Sequence, residues 1–335
     1  MMGRKLIGID FGTSAVKIYR RGAGIVLNEK NAVAIQNRKK VAAVGTQAYD
    51  MLGKAPEQIV VASPIRNGVI ADIGRMQIIL NHLIERLFKG KVKSADYVIA
   101  VPKELTEVEK RAFFELVQRA NVKMHSLYIV DKPIAAALGM EIDISKSHGV
   151  LTVDFGADTT EIAVISMEGI VVSKLIPIGG YKLDALIQSA VKRKHNLLIG
   201  EKSAEQIKIE LASAIEPEKK SMRVFGRDVV SGLPAQAMVD SELVYYAIRD
   251  QLSTVLSAIR QILERTPPEI SADIIESGIY VAGGTSHIQH LAKRIEDETN
   301  LKVNIASAGE HAVINGLGVM IENHKLLRMA RHMKK

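Results

Sequence analysis

One pattern occurs twice in the chain, and it constrains the fold more than any other feature. The sequence Ile-Gly-Ile-Asp-Phe-Gly ends an apolar stretch at Gly12, and Leu-Thr-Val-Asp-Phe-Gly ends another at Gly156. Each copy is followed by a short polar turn and a β-branched run, which predicts a β-hairpin. A turn of small residues can aim several backbone N–H groups at one anion, such as phosphate. A single Asp-x-Gly turn is more often purely conformational, so it is the repeat that favours two phosphate-binding hairpins.

Each copy also places an acidic residue at the end of its first strand, Asp10 in one and Asp154 in the other. A carboxylate there could hold a hydrated divalent cation beside a phosphate, because hard cations prefer oxygen ligands and retain their waters. Two such hairpins facing each other across a cleft predict a duplicated α/β ATPase.

The rest of the chain favours two α/β domains. A length of 335 residues is too large for one ordinary core. Strand and helix patterns alternate in both halves. No segment rich in Gly, Ser or Pro separates the halves, so we expect them to share a hinge and a common cleft.

Composition argues against several other classes of protein. Cysteine is absent, which excludes disulfides and thiolate metal sites and fits a reducing cytoplasm. The stretch Met1–Lys5 leads directly into the first apolar strand, and no apolar run approaches the roughly 20 residues of a membrane span. We therefore expect neither a signal peptide nor a transmembrane helix. The net charge of +8 comes without a zinc-finger spacing or an aromatic and basic RNA motif, so we expect no nucleic-acid partner.

Local patterns predict individual helices. Apolar residues at helical spacing predict a helix at Ile73–Phe88. Thr106, with Glu109 three residues later, forms a predicted capping box. Pro133 is expected in the first turn of the next helix, where a missing N–H costs little, and Ser203 is the predicted N-cap of another.

The two hairpins, the helix with Glu205 and Lys208, and the glycine turn at Gly283–Gly284 together resemble the actin-fold ATPases. That superfamily includes actin, DnaK-type chaperones and sugar kinases. More narrowly, the chain resembles the MreB family of bacterial actins over almost its whole length. The segments that carry this closer resemblance are Gly24–Glu29, Asn67–Asp72, Thr106–Ala112, Lys132–Gly139, Asn196–Glu201 and Glu264–Glu269.

The resemblance implies an α/β fold of the actin-like, duplicated ribonuclease-H-like type, which is a two-domain ATPase with a central nucleotide cleft. Domain I is expected to comprise residues 1–143 and 315–335, with a small subdomain at about 33–65. Domain II is expected to comprise residues 144–314, with a small subdomain at about 182–240.

The resemblance also implies a site for ATP and Mg²⁺. Asp10 and Asp154 would face the cation through water. The residues expected to contact the nucleotide are Asp10, Gly12, Thr13, Ser14, Ala15 and Lys17 in the first half, and Asp154, Gly156, Ala157, Asp158, Ala204, Glu205, Lys208, Gly283, Gly284, Thr285 and Ser286 in the second. Glu205 and Lys208 share one helix face, where they could hold the ribose and adenine edge. A surface ion pair is the alternative interpretation of those two residues.

Several positions depart from the MreB pattern. Lys132 stands where the family typically has a Glu that orients the water attacking the γ-phosphate, with help from a Thr that matches Thr159. A charged lysine cannot accept a hydrogen bond from that water. Asp158 replaces a glycine of the second phosphate loop, and a carboxylate there repels phosphate unless a cation intervenes. Thr285 stands where a third glycine is usual, while Lys17 resembles a lysine of actin's first loop that reaches the phosphates. We therefore predict ATP binding with weak or impaired hydrolysis.

The family resemblance implies a cytoplasmic protein that polymerises head to tail at the inner face of the plasma membrane. It would organise cell-wall synthesis and rod shape. The expected partners are further copies of the chain, an MreB paralogue, the membrane surface and the cell-wall elongation machinery. A phosphotransferase of the same fold, such as a sugar kinase, is the alternative, and it is disfavoured because the chain has little room for an inserted substrate domain.

The basic C-terminal segment is the expected membrane contact. Leu326, Met329, Ala330 and Met333 would share one face of a helix with basic residues around it. Such a tail can lie on an anionic bilayer. The alternative, that the apolar face packs on the first domain, is favoured for the helix as a whole, and membrane contact is favoured for its last turn.

Overall fold

The computed structural model describes residues 5–90, 92 and 94–333. Residues 1–4 and the lysines at 91, 93, 334 and 335, some of which entered the predictions above, lie outside the described residues. The chain divides into two compact units. The first comprises Met1–Ser147, Ile165–Ile170 and Glu310–Lys335, and the second comprises His148–Val164 and Val171–Gly309.

The first unit contains ten strands and four helices up to residue 147, counted over its described residues. The strands are β1 (Lys5–Phe11), β2 (Ala15–Arg20), β3 (Gly24–Lys30), β4 (Val33–Gln36), β5 (Lys40–Val44), β6 (Ile59–Ala62), β7 (Ile65–Arg66), β8 (Val69–Ile70), β9 (Ser94–Val101) and β10 (Lys123–Asp131). The helices are α1 (Thr46–Asp50), α2 (Ile73–Phe88), α3 (Glu107–Gln118) and α4 (Lys132–Gly139).

The chain continues through the second unit and then returns to the first. The next strands are β11 (Val150–Phe155), β12 (Thr160–Ser166), β13 (Gly169–Ile176), β14 (Leu197–Leu198), β15 (Ser221–Asp228), β16 (Pro234–Asp240), β17 (Ile279–Ala282) and β18 (Val303–Ile305). The helices between them are α5 (Gly180–His195), α6 (Glu201–Leu211), α7 (Ser241–Glu264), α8 (Pro268–Ser277) and α9 (Leu291–Thr299). The return to the first unit adds α10 (Ala312–Glu322) and β19 (Arg331–Met333). Short 3₁₀ turns occupy Gly284–His287, Gly309–His311 and His324–Met329.

The main sheets of the two units repeat one strand order. In the first unit the order is β19-β10-β9-β1-β2-β3, and in the second it is β18-β17-β11-β12-β13 when read in the same direction. The central strand β1 pairs in parallel with β9 and antiparallel with β2, and β11 pairs in parallel with β17. Each Asp-Phe-Gly therefore ends the central strand of its sheet. The two repeated hairpins are the centres of two equivalent sheets.

Each unit buries its own aliphatic core. In the first, α2 buries Met76, Ile79 and Leu83 in one cluster with Ile7 and Ile9 of β1. The helical spacing of these residues produced the correct prediction for α2, and the helix begins at the predicted residue because the Asp72 side chain accepts from the N–H of Arg75. Burial of such an apolar stripe stabilises a helix more than its local propensity does.

The long helix α7 has the same role in the second unit. It buries Val244, Ile248, Leu252 and Ile259 in one cluster with Leu151 of β11. The Asp240 side chain caps its start by accepting from the N–H of Leu243 at 2.7 Å.

Helices α4 and α10 pack backbone to backbone, which fixes the position of α4. A Cβ at Gly316 would lie 1.7 Å from the carbonyl oxygen of Ala135, and one at Gly139 would lie 1.8 Å from the carbonyl oxygen of Ala312. Only glycine permits this separation. The start of α4, at Lys132, is thereby held next to the sheet of the first unit.

The predictions for two further helix starts are confirmed, and one is wrong. The capping box of Thr106 and Glu109 is present, and Pro133 lies in the first turn of α4. Ser203 is not an N-cap, because α6 begins at Glu201 and Gly200 is the capping residue. The glycine leaves the helix start without a side-chain cap, so the usual polar signal is absent from the sequence.

The predicted C-terminal amphipathic helix is also wrong. After α10, the Asn323 side chain accepts from the N–H of Lys325 and the chain forms a 3₁₀ turn. The strand β19 then pairs antiparallel with β10, which places Met333 opposite Leu127 and against the core of the first unit. The backbone of β19 hydrogen-bonds with the open edge of β10, because the N–H and C=O groups of an unpaired strand edge are available for pairing. Among the described residues, no helix has the length and apolarity needed to cross a bilayer.

Candidate functional site

The first phosphate loop is the turn Gly12–Ala15 between β1 and β2, and the protein holds it by its carbonyl groups. The side chain of Asn31 donates to the oxygen of Gly12 at 2.9 Å, and the N–H of Asn31 donates to the oxygen of Ser14 at 2.9 Å. Ser63 Oγ donates to the oxygen of Thr13 at 3.3 Å. In a trans peptide the N–H points opposite to the preceding carbonyl. The N–H groups that follow these carbonyls are therefore directed away from Asn31 and Ser63, as an anion nest requires.

Gly12 is required by the tightness of this turn. A Cβ at this position would lie 2.6 Å from the backbone oxygen of Ala15. That separation is well inside van der Waals contact, and neither group is a flexible side chain. The turn can thus close around a small anion only because residue 12 has no side chain.

Three charged side chains form a buried cluster beside the first loop, which we call the lysine cluster: Lys17, Asp10 and Lys132. Lys17 Nζ lies 3.6 Å from Asp10 Oδ2, and Lys132 Nζ lies 3.6 Å from Asp10 Oδ1. The side chains are 11%, 6% and 16% exposed for Lys17, Asp10 and Lys132. Lysine is almost never buried unless it is paired. Two ammonium groups share one carboxylate here.

The fold places each member of the lysine cluster from a different element. Asp10 and Lys17 are direct neighbours on β1 and β2, and Lys132 is the first residue of α4. The adjacent Asp131 does not enter the cluster, because its Oδ2 accepts from Lys103 Nζ at 2.9 Å. The side chain of Asp131 thus points away from the cluster.

The second phosphate loop, Gly156–Thr159, is closed by a hydrogen bond of 2.9 Å from the N–H of Gly156 to the oxygen of Thr159. Its carbonyls are also held from one side. Gly156 O accepts from the N–H of Gly180 at 3.1 Å, and Ala157 O accepts from the N–H of Tyr181 at 2.7 Å. The following N–H groups, those of Ala157 and Asp158, are directed away from α5. In both loops, therefore, carbonyl groups are bound by the protein and the N–H groups that follow them point the other way.

The start of α5 docks directly on this second loop. A Cβ at Gly179 would lie 2.5 Å from the backbone nitrogen of Asp158, and one at Gly180 would lie 2.9 Å from Lys208 Nζ. Helix α5 begins at Gly180. Gly179 thus permits close packing on the loop, and Gly180 permits close packing against Lys208 and Thr285.

The glycine turn at Gly283 joins the same site. Its φ of 89° is in the left-handed region that favours glycine, and a Cβ here would lie 2.7 Å from Asp154 Oδ1. The buried Thr285 Oγ1 donates to Gly156 O at 2.8 Å, and Ser286 Oγ donates to Gly283 O at 2.7 Å. The threonine that stands in place of a third glycine thus connects this turn to the second phosphate loop.

Lys208 forms an ion pair at the base of the second loop. Its Nζ lies 2.8 Å from Asp184 Oδ1 and donates to Gly180 O at 3.1 Å. Burial raises the pKa of Asp184 to about 6, although Lys208 opposes that shift, and the nearby carboxylates of Glu205 and Glu201 add to it. Lys208 therefore stabilises the start of α5 in addition to any contact with a nucleotide.

The structure gathers the predicted site residues into two groups, one in each unit. The first consists of the loop Gly12–Ala15 and the lysine cluster. The second consists of Asp154, the loop Gly156–Thr159, Lys208 and the turn Gly283–Ser286. Glu205 lies on α6 within electrostatic range of Asp184. Ala204 is fully buried in the core of the second unit.

Three comparisons with known proteins agree with this arrangement. A model of the family described as MreB/Mbl protein matches residues 4–329. The chain belongs to the MreB/Mbl family. It is 40% identical over 320 residues to the cell shape-determining protein Mbl of Bacillus subtilis (strain 168), covering 95% of this chain and 96% of that protein.

Solved structures place the MreB/Mbl chain among actin-like proteins. MreB5 of Spiroplasma citri bound to ADP has a TM-score of 0.91 and 34% identity, covering 97% of this chain and 98% of MreB5. The AMPPNP-bound form of MreB5 gives a TM-score of 0.90 with 33% identity over the same shares. A MamK double helical filament shares the fold, with a TM-score of 0.80 at 22% identity over 96% of this chain and 99% of MamK. The predicted family and the predicted actin-like fold are both confirmed.

Sequence analysis did not identify two buried polar residues that support the phosphate loops. Asn31 and Asp184 are 2% and 6% exposed, yet both carry polar groups. Buried polar side chains are retained where they satisfy a specific partner. Neither residue belongs to a motif, although Asn31 lies two residues after the Gly24–Glu29 region that carried the resemblance and Asp184 lies four residues after Gly180. Both are identifiable only once the loops are in place.

Proposed function

We propose that this MreB-family chain binds an adenine nucleotide through its two phosphate loops and polymerises under the control of that nucleotide. The observation that carries the proposal is the first loop, where Asn31 and Ser63 bind the carbonyls of Gly12, Thr13 and Ser14 and leave the following N–H groups directed away from them, with buried lysine side chains nearby. An anion with several negative charges is the ligand that such an arrangement favours. The ADP-bound and AMPPNP-bound MreB5 structures, which share the fold and about a third of the sequence, support an adenine nucleotide in particular.

We further propose that hydrolysis is weak. General-base catalysis requires a group that accepts a hydrogen bond from the attacking water. Lys132 stands at the family's Glu position, with its Nζ 3.6 Å from Asp10 Oδ1, and an ammonium group only donates hydrogen bonds. Thr159 alone would then remain to orient the water, and a hydroxyl is a weak base.

The proposed assembly is a head-to-tail filament at the inner face of the plasma membrane, where it would act with the cell-wall elongation machinery in setting cell shape. A head-to-tail contact is heterologous and produces an open filament rather than a closed ring. The names of the relatives and the MamK filament support this role. The assignment of residues 1–143 with 315–335 to domain I and 144–314 to domain II, each with its small subdomain, is part of the same proposal.

Membrane contact, if it involves the C-terminus, would not use an amphipathic α-helix. The apolar residues Leu326 and Met329 are half-buried in a 3₁₀ turn, and Arg331 pairs with Glu107. Co-sedimentation of liposomes with the full chain and with a chain truncated after Asn323 tests the segment. Equal binding of the two would exclude the tail as the contact.

The proposed function is tested by pelleting and phosphate release on the same preparation. The full chain is expected to pellet with ATP or AMPPNP and to remain in solution without nucleotide. Phosphate release should be slow, and Lys132→Glu should increase it. A chain that binds no nucleotide in calorimetry would contradict the proposal, and so would a chain that stays in solution under every condition. Brisk turnover that Lys132→Ala leaves unchanged would contradict impaired hydrolysis alone.

A further inference from the structure

The small sheet β14-β15-β16 of the second unit has one packed face and one open face. Along β15, Val224 is buried in the core cluster that also contains Val239 of β16. Side chains alternate between the two faces of a strand, so Arg223, Phe225 and Arg227 point the other way, and all three are exposed. Phe225 is 67% exposed, whereas every other phenylalanine in the chain is buried or half-buried. We call this open side of β15 and β16, together with the turn between them, the β15 face.

The apolar side chains of the β15 face form one patch around Phe225. The strand register places Met238 and Pro234 of β16 and Leu198 of β14 diagonally opposite Phe225, and diagonal neighbours lie within reach of an aromatic ring. All three neighbours are exposed. Single exposed apolar residues are normal on protein surfaces, whereas a contiguous apolar patch indicates an interaction site.

The turn at 229–233 extends this patch and is ordered by its own hydrogen bonds. Val230 is 82% exposed and Leu233 is 64% exposed. Asp228 Oδ1 accepts from the N–H groups of Val230 and Ser231 at 3.0 and 2.6 Å, so this carboxylate is bonded within the turn. The N–H of Asp228 donates to Leu233 O at 2.9 Å. An ordered turn presents its apolar side chains with little conformational entropy left to lose on binding.

The charged groups of the β15 face are complementary to an anionic surface. Arg223 and Arg227 lie two residues before and two residues after Phe225, so a guanidinium group flanks the apolar patch on each side. The carboxylate at the end of β16 away from the turn, that of Asp240, pairs with Lys194 Nζ at 2.7 Å. Anionic bilayers attract surfaces of this kind, because their headgroups attract the positive charge and their acyl chains receive the apolar side chains.

A second copy of the chain fits the β15 face less well than a bilayer does. Each copy has a net charge of +8, so two copies repel each other at long range, whereas an anionic bilayer attracts the same charge. Charge complementarity therefore favours the lipid surface as the occupant.

We propose that the β15 face docks on an anionic lipid bilayer. Phe225, Val230 and Leu233 would enter the boundary between headgroups and acyl chains, and Arg223 and Arg227 would contact the headgroups. The inference rests on the membrane association in the proposed function and identifies the segment responsible for it. This segment belongs to the second unit and is distinct from the C-terminal 3₁₀ turn, whose apolar residues are half-buried.

A single fluorescent reporter tests the proposal directly, because the chain contains no tryptophan. Phe225→Trp should keep the contact, since tryptophan favours the membrane interface. Its emission should shift to shorter wavelength with vesicles of phosphatidylglycerol and phosphatidylcholine, and brominated lipid should quench it. Vesicles of phosphatidylcholine alone should give a much smaller shift. Ile275→Trp is the matched control, because Ile275 is 68% exposed on α8 of the same unit, and its emission should not change.

Co-sedimentation with the same anionic vesicles measures the contribution of each group. The assay omits nucleotide, so that multivalent binding by the proposed filament does not mask the effect of a variant. Phe225→Gln and Leu233→Gln should each lower vesicle affinity by about tenfold, as expected for one large apolar side chain. Arg227→Gln should lower it by about fivefold. Ile275→Gln should bind as the unaltered chain does.

The outcomes separate this inference from the proposed function. Vesicle binding that none of the β15-face variants weakens would overturn the inference, and so would equal binding to vesicles of phosphatidylcholine alone. If Phe225→Gln abolished pelleting with ATP in the absence of vesicles but left vesicle binding unchanged, the face would be a contact between copies, and the inference would fail while the proposed function stood. A chain that binds anionic vesicles through Phe225 and Leu233, yet neither binds nucleotide nor pellets, would support the inference and contradict the proposed function.

Discussion

The two phosphate loops occupy equivalent positions in their sheets and differ in the charged side chains beside them. Both follow Asp-Phe-Gly at the end of a central strand, and both have their carbonyls held from one side. The first loop lies in one hairpin with Asp10 and Lys17 and next to Lys132. The second contains Asp158 and follows Asp154. Duplication thus preserved the nest of N–H groups while the side chains around it diverged.

This difference in charged side chains indicates that the two loops contribute unequally to phosphate binding. Fixed positive charge favours phosphate at the first loop, whereas carboxylates disfavour it at the second. The second loop compensates through rigidity, because α5, Thr285 and the Lys208–Asp184 pair all support it. We therefore expect the first loop to contribute most of the phosphate affinity and the second to contribute mainly position.

The largest expected effect comes from adding a methyl group to each loop. Gly12→Ala places Cβ 2.6 Å from the oxygen of Ala15, and Gly156→Ala places it 3.1 Å from the oxygen of Thr159. Overpacking against backbone costs about 1–3 kcal/mol, so Gly12→Ala should weaken ATP binding by about 30-fold. Gly156→Ala should weaken it by less than about threefold.

Calorimetry on both variants measures this difference, and circular dichroism with thermal melting establishes that both chains are folded. Equal losses of ATP affinity in the two variants would contradict unequal contributions of the two loops. A larger loss in Gly156→Ala would show that the second loop contributes more.

Asp184 sharpens the comparison through pH, since it pairs with Lys208 beside the start of α5, which docks on the second loop. Its pKa is raised by burial to about 6, so the folded chain holds the proton more tightly than the unfolded chain does. This contribution to the free energy of unfolding is present in full below about pH 4 and is lost as pH rises through about 6. Relative to Asp184→Asn, the unaltered chain should therefore lose on the order of 2 kcal/mol between pH 4 and 7.

Urea unfolding at several pH values measures this dependence. Asp240→Asn is a control of opposite sign, because Lys194 lowers the pKa of Asp240. The contribution of Asp240 is present above its ordinary pKa and is lost on acidification. A difference between the unaltered chain and Asp184→Asn that does not change with pH would contradict the role assigned to burial of Asp184.

Sequence patterns sufficed for the features that depend on local chemistry or on the repeat. The duplicated Asp-Phe-Gly predicted two equivalent hairpins, and the shared strand order of the two sheets agrees with it. Helical spacing of apolar residues located α2, and Thr106 with Glu109 located the start of α3. In the two helices, the interacting residues are close together in the sequence. In the hairpins, the same sequence pattern occurs twice.

The features that could not be predicted depend on contacts between distant segments. Lys17 and Lys132 were each considered as departures near phosphate, but their shared partner Asp10 follows only from the pairing of β1 and β2 and the packing of α4 on α10. The start of α6 has a glycine cap with no side-chain signal. The apolar residues of the C-terminal segment have helical spacing, yet His324–Met329 form a 3₁₀ turn and Arg331–Met333 pair with the edge of β10 as a strand. At the C-terminus, hydrogen bonding between distant strands therefore outweighed the helical pattern of the local sequence.

Asp158 offers a smaller test of the charge difference between the loops. Asp158→Asn removes a negative charge beside the proposed phosphate position and leaves the size of the side chain unchanged. The affinity for ATP should rise by about fivefold, in line with a Coulomb term near 1 kcal/mol in a partly solvated site. Asp297→Asn is the matched control, because Asp297 pairs with Lys293 on α9. An affinity that falls in Asp158→Asn would show that the carboxylate assists binding and would remove the charge contrast between the loops.

The smallest expected effect concerns the hydroxyl of Thr285, which ties the glycine turn to the second loop. Thr285→Val keeps the shape of the side chain and removes its hydrogen bond of 2.8 Å to Gly156 O. Because Gly156 O also accepts from the N–H of Gly180, the carbonyl is not left unsatisfied. The cost should therefore be near the lower end for a lost hydrogen bond, about 0.5 kcal/mol, or roughly a twofold to threefold loss of ATP affinity. Thr285→Ser retains the hydroxyl and should restore the affinity. If Thr285→Val instead weakened binding as strongly as Gly12→Ala, the second loop would depend on this bond as much as the first depends on its glycine, and the two loops would contribute equally.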